Sequence, residues 1–485
     1  MNTKKPAGQK LAATKKGRIS AWPTLEVALA AFFLALPALY NGFPILYPDS
    51  MTYLDDGRIV ARAVFLHRMS DYYGMRSFFY SLVILPFHWN LTAWPIVALQ
   101  CLLVAYVIRL VVRALAPDSG AWFYLAMVLL LSLFTTAGWF SSLILPDILG
   151  SILYLAIFLL AFAAETLSRA ERWSLYLIAW WGITSHATHL VLSTALCLLL
   201  VAIMAMQRRP WLRILKITGE IAAIIAVAAA SQLALHGYLY GHPSLNGERP
   251  PFLMARVIAD GPGRWYLEKH CGELNWAICS YVQHLNVDPD HFLWSPDGIW
   301  QTASDDQQEQ MSHEEMPLVL ATLRAYPGAQ FQRSAANFWQ QLTTFGFDDL
   351  GPSSWVLDEF PSVMPASRAS YLRGKQAQDA IPLDELTEFQ FWVVIGSVGF
   401  MAALAPMMLR FRRARLGSLT AVIAFVVICN AAVTGVLSMP EDRLEARVIW
   451  MVPFLSGIFA ITWLNNRRLD AGRREAAKCP LAAAR

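Results

Sequence analysis

Leu143-Ile144-Leu145-Pro146-Asp147-Ile148-Leu149-Gly150-Ser151-Ile152-Leu153-Tyr154-Leu155-Ala156-Ile157-Phe158-Leu159-Leu160-Ala161-Phe162 carries one charged side chain, Asp147, the only charge between Asp118 and Glu165. A run so apolar, about 20 residues long, matches the hydrocarbon thickness of a bilayer. Working outward, comparable runs occupy 22–41, 92–114, 121–139, 143–164, 173–186, 189–206, 212–235, 387–409, 418–437 and 447–465. Hydrophobic residues make up 56% of the 485 and charged residues 15%, against roughly 25% charge in soluble domains. The expected fold is therefore an all-α multi-pass membrane protein of about ten transmembrane helices, interrupted by one long polar insert, 236–385.

Charge sets the expected direction of the chain. The tail 1–21 holds Lys4, Lys5, Lys10, Lys15, Lys16 and Arg18, and the run after it lacks a small-residue cleavage site, so it reads as a retained first span. With that tail in the cytoplasm, the clusters at Arg109/Arg113, Arg169/Arg172, Arg208/Arg209/Arg213/Lys216, Arg410/Arg412/Arg413/Arg415 and the tail 466–485 fall on one side. That side holds 24 of the 39 Lys and Arg, as the positive-inside rule requires. The insert has 19 acidic against 9 basic residues and lands outside. Basic residues spent on topology leave no patch for nucleic acid. Within the insert, Asp305 to Gln310 reads as a solvated loop, and Pro317 as the opening turn of a helix over Leu318–Ala325. Cys101, Cys197 and Cys429 lie in apolar runs, Cys479 in the tail; Cys271 and Cys279 share the insert, as a short-loop disulfide or as two thiols.

Chemistry-bearing residues gather in the outer loops. Loop one, 42–91, opens Tyr47-Pro48-Asp49-Ser50-Met51-Thr52-Tyr53-Leu54-Asp55-Asp56-Gly57-Arg58. Asp49, just past the first span, suits a proton acceptor or a cation ligand, and equally the cap of a helix through Tyr53–Ala63. Arg76 precedes Ser77-Phe78-Phe79-Tyr80, too short to span and suited to an interfacial helix. Asp147 is either a functional acid at the outer start of a span or a helix cap. His186 and His189, three apart, are a sparse metal pattern or a polar kink. Arg443 and Arg447, four apart where the last span re-enters, suit a phosphate, or internal pairing with Glu441, Asp442 and Glu445. No glycine-rich phosphate loop, nucleophile elbow, zinc framework or dinucleotide fingerprint occurs.

In this order, these residues resemble the GT-C superfamily of integral-membrane glycosyltransferases, which includes the protein O-mannosyltransferases and the aminoarabinose transferases of lipid A. The likeness covers the first six spans and the last loop. It implies a bacterial inner-membrane enzyme with periplasmic loops that takes a sugar from a polyprenyl-phosphate donor to an extracytoplasmic glycan, lipid or protein, with inversion. It assigns Asp49 and Asp147 as the acids, as base or as ligands of a divalent cation, Mg or Mn. Arg76, Arg443 and Arg447 fall to the donor phosphate, and Tyr53, Arg58, His186 and His189 join as substrate-binding candidates. Many members carry two adjacent acids where this chain has Asp49 and Ser50. The rival expectation is a multi-pass transporter or lipid flippase, whose usual marks are internal repeats and spans broken at mid-membrane.

Overall fold

A computed structural model describes residues 22–70, 76–410 and 414–478; the tail 1–21, with Arg412 and Arg413, lies outside the described residues. The membrane part runs α1 (Trp22–Leu34), α2 (Leu36–Asn41), α3 (Pro48–Leu66), α4 (Phe78–His88), α5 (Trp94–Leu115), α6 (Ala121–Phe134), α7 (Thr136–Ser142), α8 (Asp147–Phe162), α9 (Arg169–Ser185), α10 (Ala187–Met206) and α11 (Trp211–Tyr240). The insert adds α12 (Phe252–Ala259), α13 (Pro262–His270), α14 (Pro289–Trp294), α15 (Ile299–Thr302), α16 (Asp305–Ala325), α17 (Pro327–Thr343), α18 (Ser354–Val363) and α19 (Arg368–Leu372). The chain closes with α20 (Leu383–Arg410), α21 (Ala414–Leu437), α22 (Asp442–Ile449) and α23 (Met451–Lys478). Among the described residues there is no strand, only one isolated parallel bridge between Ile45 and Leu143.

Among the described residues six helices are long and apolar enough to cross a bilayer: α5, α10, α11, α20, α21 and the segment Asp442–Arg467. The α6–α7 pair makes a seventh if its bend of 81° is counted as one span. The molecule is a helical membrane protein. The bend falls at Thr135, whose extended backbone breaks the helix and whose hydroxyl accepts from Ala137 N–H at 3.2 Å, capping α7. The first run likewise breaks near Ala35 and stops at Gly42, where φ is 84°. Helix α8 has 16 residues, about 24 Å, and every one is buried. Protein, not lipid, surrounds it.

At one end of the bundle the basic clusters pair across helices: Arg113 with Glu171 at 2.7 Å, Arg109 with Glu26 at 2.8 Å, Arg172 with Glu220 at 3.3 Å, and Arg415 with Glu165. Glu165 lies just past the C-terminus of α8, whereas Asp147 begins it, so the basic end and the acid stand about 24 Å apart.

The expected single insert divides. Residues 252–318 bury their own core (Met254, Ile258, Leu267, Ile278, Phe292, Leu318) and carry a Cys271–Cys279 disulfide. The stretch 345–381 instead gives Phe345, Leu350, Phe360 and Tyr371 to the core of the bundle. Gln376 fastens it to loop one: its amide donates to Leu46 O at 2.7 Å, accepts from Leu46 N–H at 3.1 Å, and its backbone N–H donates to Asn41 Oδ1 at 2.7 Å. Asp305 to Gln310 is not a loop but the start of α16, capped by Ser304 with Gln307 reciprocating, and Pro317 sits inside that helix, not at its opening.

Candidate active site

The Ile45–Leu143 bridge builds the site. Ile45 N–H donates to Ser142 O and Ile144 N–H to Ile45 O, each at 3.0 Å, and the two segments run parallel. Aligned by that pairing, Ile45-Leu46-Tyr47-Pro48-Asp49 matches Leu143-Ile144-Leu145-Pro146-Asp147. In both, a proline starts a helix and an aspartate fills its first turn. Asp49 and Asp147 therefore arrive at neighbouring helix N-termini. Neither is the capping residue; Tyr47 and Pro146 hold those positions, and Ser50 Oγ accepts from Tyr47 N–H at 2.9 Å.

Two further N-termini reach the same place. His186 caps α10, accepting from Thr188 N–H at 3.3 Å, and α22 brings Arg443 and Arg447. Asp147, 2% exposed, is held between Arg443 (3.5 Å) and Arg447 (3.4 Å). Arg447 is buried behind it, donating to Asn430 Oδ1 at 2.8 Å and to Thr188 Oγ1 at 3.3 Å. Arg443 is held loosely: besides Asp147 it has Glu441 at 3.6 Å, its guanidinium lies 4.3 Å from the centre of the Tyr47 ring, and its Nε has no hydrogen-bond partner. Good N–H···O bonds measure 2.7–3.2 Å, so Arg443 retains unspent donors. Asp49, 15% exposed, pairs with Arg76 at 2.6 Å, and Arg76 in turn lies 5.7 Å from the Trp294 ring of the insert. Tyr53 is buried within electrostatic reach of Asp49, Asp147, Arg76 and Arg443.

The insert supplies residues that sequence reading passes over. Asp349 accepts from Arg443 N–H at 2.7 Å, and Gln341 grips the Glu441 backbone, donating to its carbonyl at 2.8 Å and accepting from its N–H at 3.1 Å. Burial raises the Glu441 carboxyl from 4.5 to about 7; Arg443 opposes the shift, and Asp349, Asp290 and Asp49 add to it. Burial also raises the hydroxyls of Tyr47 and Tyr53, which stay neutral donors at neutral pH. The doubled Pro-Asp pentapeptide was the available sequence signal for the Asp49–Asp147 pair. Glu441, two residues from Arg443, was legible as a pairing partner; for Asp349 and Trp294 there was no signal, since only the fold brings them in.

Not every candidate converges. Arg58 pairs with Asp55 at 2.6 Å and lines an apolar groove of about 440 Å³ between α3 and α4, with Arg62, Phe65, Leu85 and Trp89. His189 donates from Nδ1 to Gly182 O at 2.8 Å and is packed against Gly150, a buried packing residue. Among the described residues no three His, Cys, Asp or Glu side chains gather as a metal-ligand set. Asp49 and Asp147 each face guanidinium groups, a charge setting that does not fit the cation site the resemblance implies.

Three arginines and four helix N-termini meet two paired aspartates, Asp349 and a half-neutral glutamate here, and the loosely held Arg443 is the group with donors left for an anion. Comparison of the chain with known protein families, with curated proteins and with solved structures finds no match.

Proposed function

We propose that this protein is a GT-C-like glycosyltransferase of the bacterial inner membrane that moves a sugar from a polyprenyl phosphate to an extracytoplasmic hydroxyl. The chain crosses ten times with both tails cytoplasmic and 236–385 periplasmic. The broken α1–α2 run and the short α8 and α9 count among the ten; α8, buried along its whole length, need not match the lipid thickness. The observation that carries this reading is the parallel bridge that sets two Pro-Asp turns and three arginines at one mouth, on the end of the bundle away from the basic clusters.

In this reading Arg443, with its free Nε and loose partners, and Arg76 receive the donor phosphate. Asp49, the more exposed acid, accepts the proton of the acceptor hydroxyl. The acceptor oxygen bonds to the anomeric carbon from the face opposite phosphate, the carbon–oxygen bond to phosphate breaks, and its electron pair leaves with the polyprenyl phosphate, neutralised by the arginines. Asp147 and Arg447 hold Arg443 in place.

The test is transfer from a radiolabelled polyprenyl-phosphate sugar by the purified protein in proteoliposomes. Asp49→Asn lowers the rate roughly 10²–10⁴-fold, the usual worth of a general base. An unchanged rate removes Asp49 from the mechanism. Lipid or solute movement across the vesicle with no labelled product favours the transporter reading instead.

A further inference from the structure

Helix α17 has its polarity turned inside out. Gln330, Ser334, Asn337 and Gln341, spaced i, i+4, i+7 and i+11, form one stripe, and Gln330, Asn337 and Gln341 are buried. Asp260 of α12 accepts from Gln330 Nε2 at 2.6 Å and from Asn337 Nδ2 at 2.9 Å. Outward, Phe331 is 76% and Trp339 63% exposed, with Gln332, Arg333 and Gln340 exposed on the remaining side. A surface helix of a water-soluble domain does the reverse, burying its apolar stripe and hydrating its amides.

What lies beside α17 accounts for the reversal. The helix packs against α21, a spanning helix, closely enough that a Cβ on Gly435 would stand 2.7 Å from Asn337 O. On α21 itself Ile428 and Leu437 are exposed, as side chains facing lipid are. Phe331 and Trp339 are therefore exposed on a helix packed along a span. Large aromatic side chains at the edge of a span are the composition of a membrane interface.

We infer that α17 is seated in the outer leaflet, with Phe331 and Trp339 among lipid chains and its amide stripe turned to protein. This insert helix is thus a lipid-anchored arm and not part of a wholly aqueous lid. Its C-terminal turn carries Gln341, which holds the Glu441 backbone next to Arg443, so the leaflet supports the loop that bears the phosphate-binding arginine. The inference concerns placement alone and stands whether or not the protein transfers sugars.

Nitroxide scanning of the full chain in phospholipid vesicles tests it, with Cys271 and Cys279 kept and the other four cysteines replaced by alanine. Labels on Phe331→Cys and Trp339→Cys should collide more with oxygen, which concentrates in lipid, than with a water-soluble nickel complex; a label on Arg333→Cys should show the reverse. Nickel access at 331 and 339 overturns the inference, as does protection from both reagents, which marks a second copy or another protein covering the helix. A benzophenone side chain in place of Trp339, in the chain with its own cysteines, reaches the same decision: adducts with lipid support the arm, and a cross-linked dimer overturns it.

Discussion

The two Pro-Asp turns begin alike and end in different surroundings. Asp147 opens a helix that is buried throughout and faces two arginines of α22, whereas Asp49 opens a helix of loop one, faces one arginine, and keeps part of its surface open beneath Trp294. An acid wedged between cations in a closed core organises those cations. An acid at the edge of the same cluster can meet a substrate. On the proposed function, the difference separates a residue that positions from one that reacts, although five consecutive residues give almost no hint of it.

The sharpest way to break this contrast is to remove the buried acid. Asp147→Ala takes away the carboxylate shared by Arg443 and Arg447, and losing one partner of a buried ion pair costs roughly 3–5 kcal/mol. The unfolding midpoint in detergent should fall steeply, while Asp49→Asn, at a more open pair, shifts stability by no more than about 1 kcal/mol. Equal losses would erase the distinction. Next, Arg443→Lys forfeits a bidentate grip on phosphate worth roughly 1.5–3 kcal/mol and should raise the donor KM about 10- to 100-fold. Arg447→Lys, behind Asp147, should lower stability with little change in donor KM.

A third measurement probes Glu441. A carboxyl raised from 4.5 to about 7 binds its proton more tightly in the folded chain, so its ionisation opposes folding. That penalty is absent below about pH 4.5, grows as pH rises, and is complete above about pH 7. The wild-type midpoint should therefore decline across this window, and Glu441→Gln should flatten that component; an identical slope in both proteins contradicts the assignment. The smallest effect belongs to Trp294→Ala, which removes a cation–π contact on Arg76 worth about 0.5–1 kcal/mol and should weaken donor or acceptor binding about two- to fivefold.

Periodicity and charge made most of the helices legible, because an apolar run of fixed length has few structural options in lipid. What they could not convey were breaks set by single residues, such as Thr135, where one extended backbone and one hydroxyl turn a continuous apolar run by 81°. Some misreadings had a cue: Ser304 and Gln307 spell a reciprocal cap at the start of α16. Others had none. Gln376 lies 330 residues from the loop it fastens, and no local pattern records that contact. At the site, Asp49, Asp147, Arg76 and Arg443 stood out as charges beside apolar runs, and Glu441 as a pairing partner for the arginines, whereas the burial that raises its carboxyl is set by the fold.

The Ile45–Leu143 bridge also bears on how the molecule is made. Its two halves leave the ribosome nearly a hundred residues apart, separated by α3 to α7, so Asp49 and Asp147 cannot meet until that whole block is inserted and folded back. Even then the arginines of α22 arrive only near the end of synthesis. A half-made chain in the membrane thus holds Asp49 but no assembled centre, and competence is conferred by the last helices to emerge.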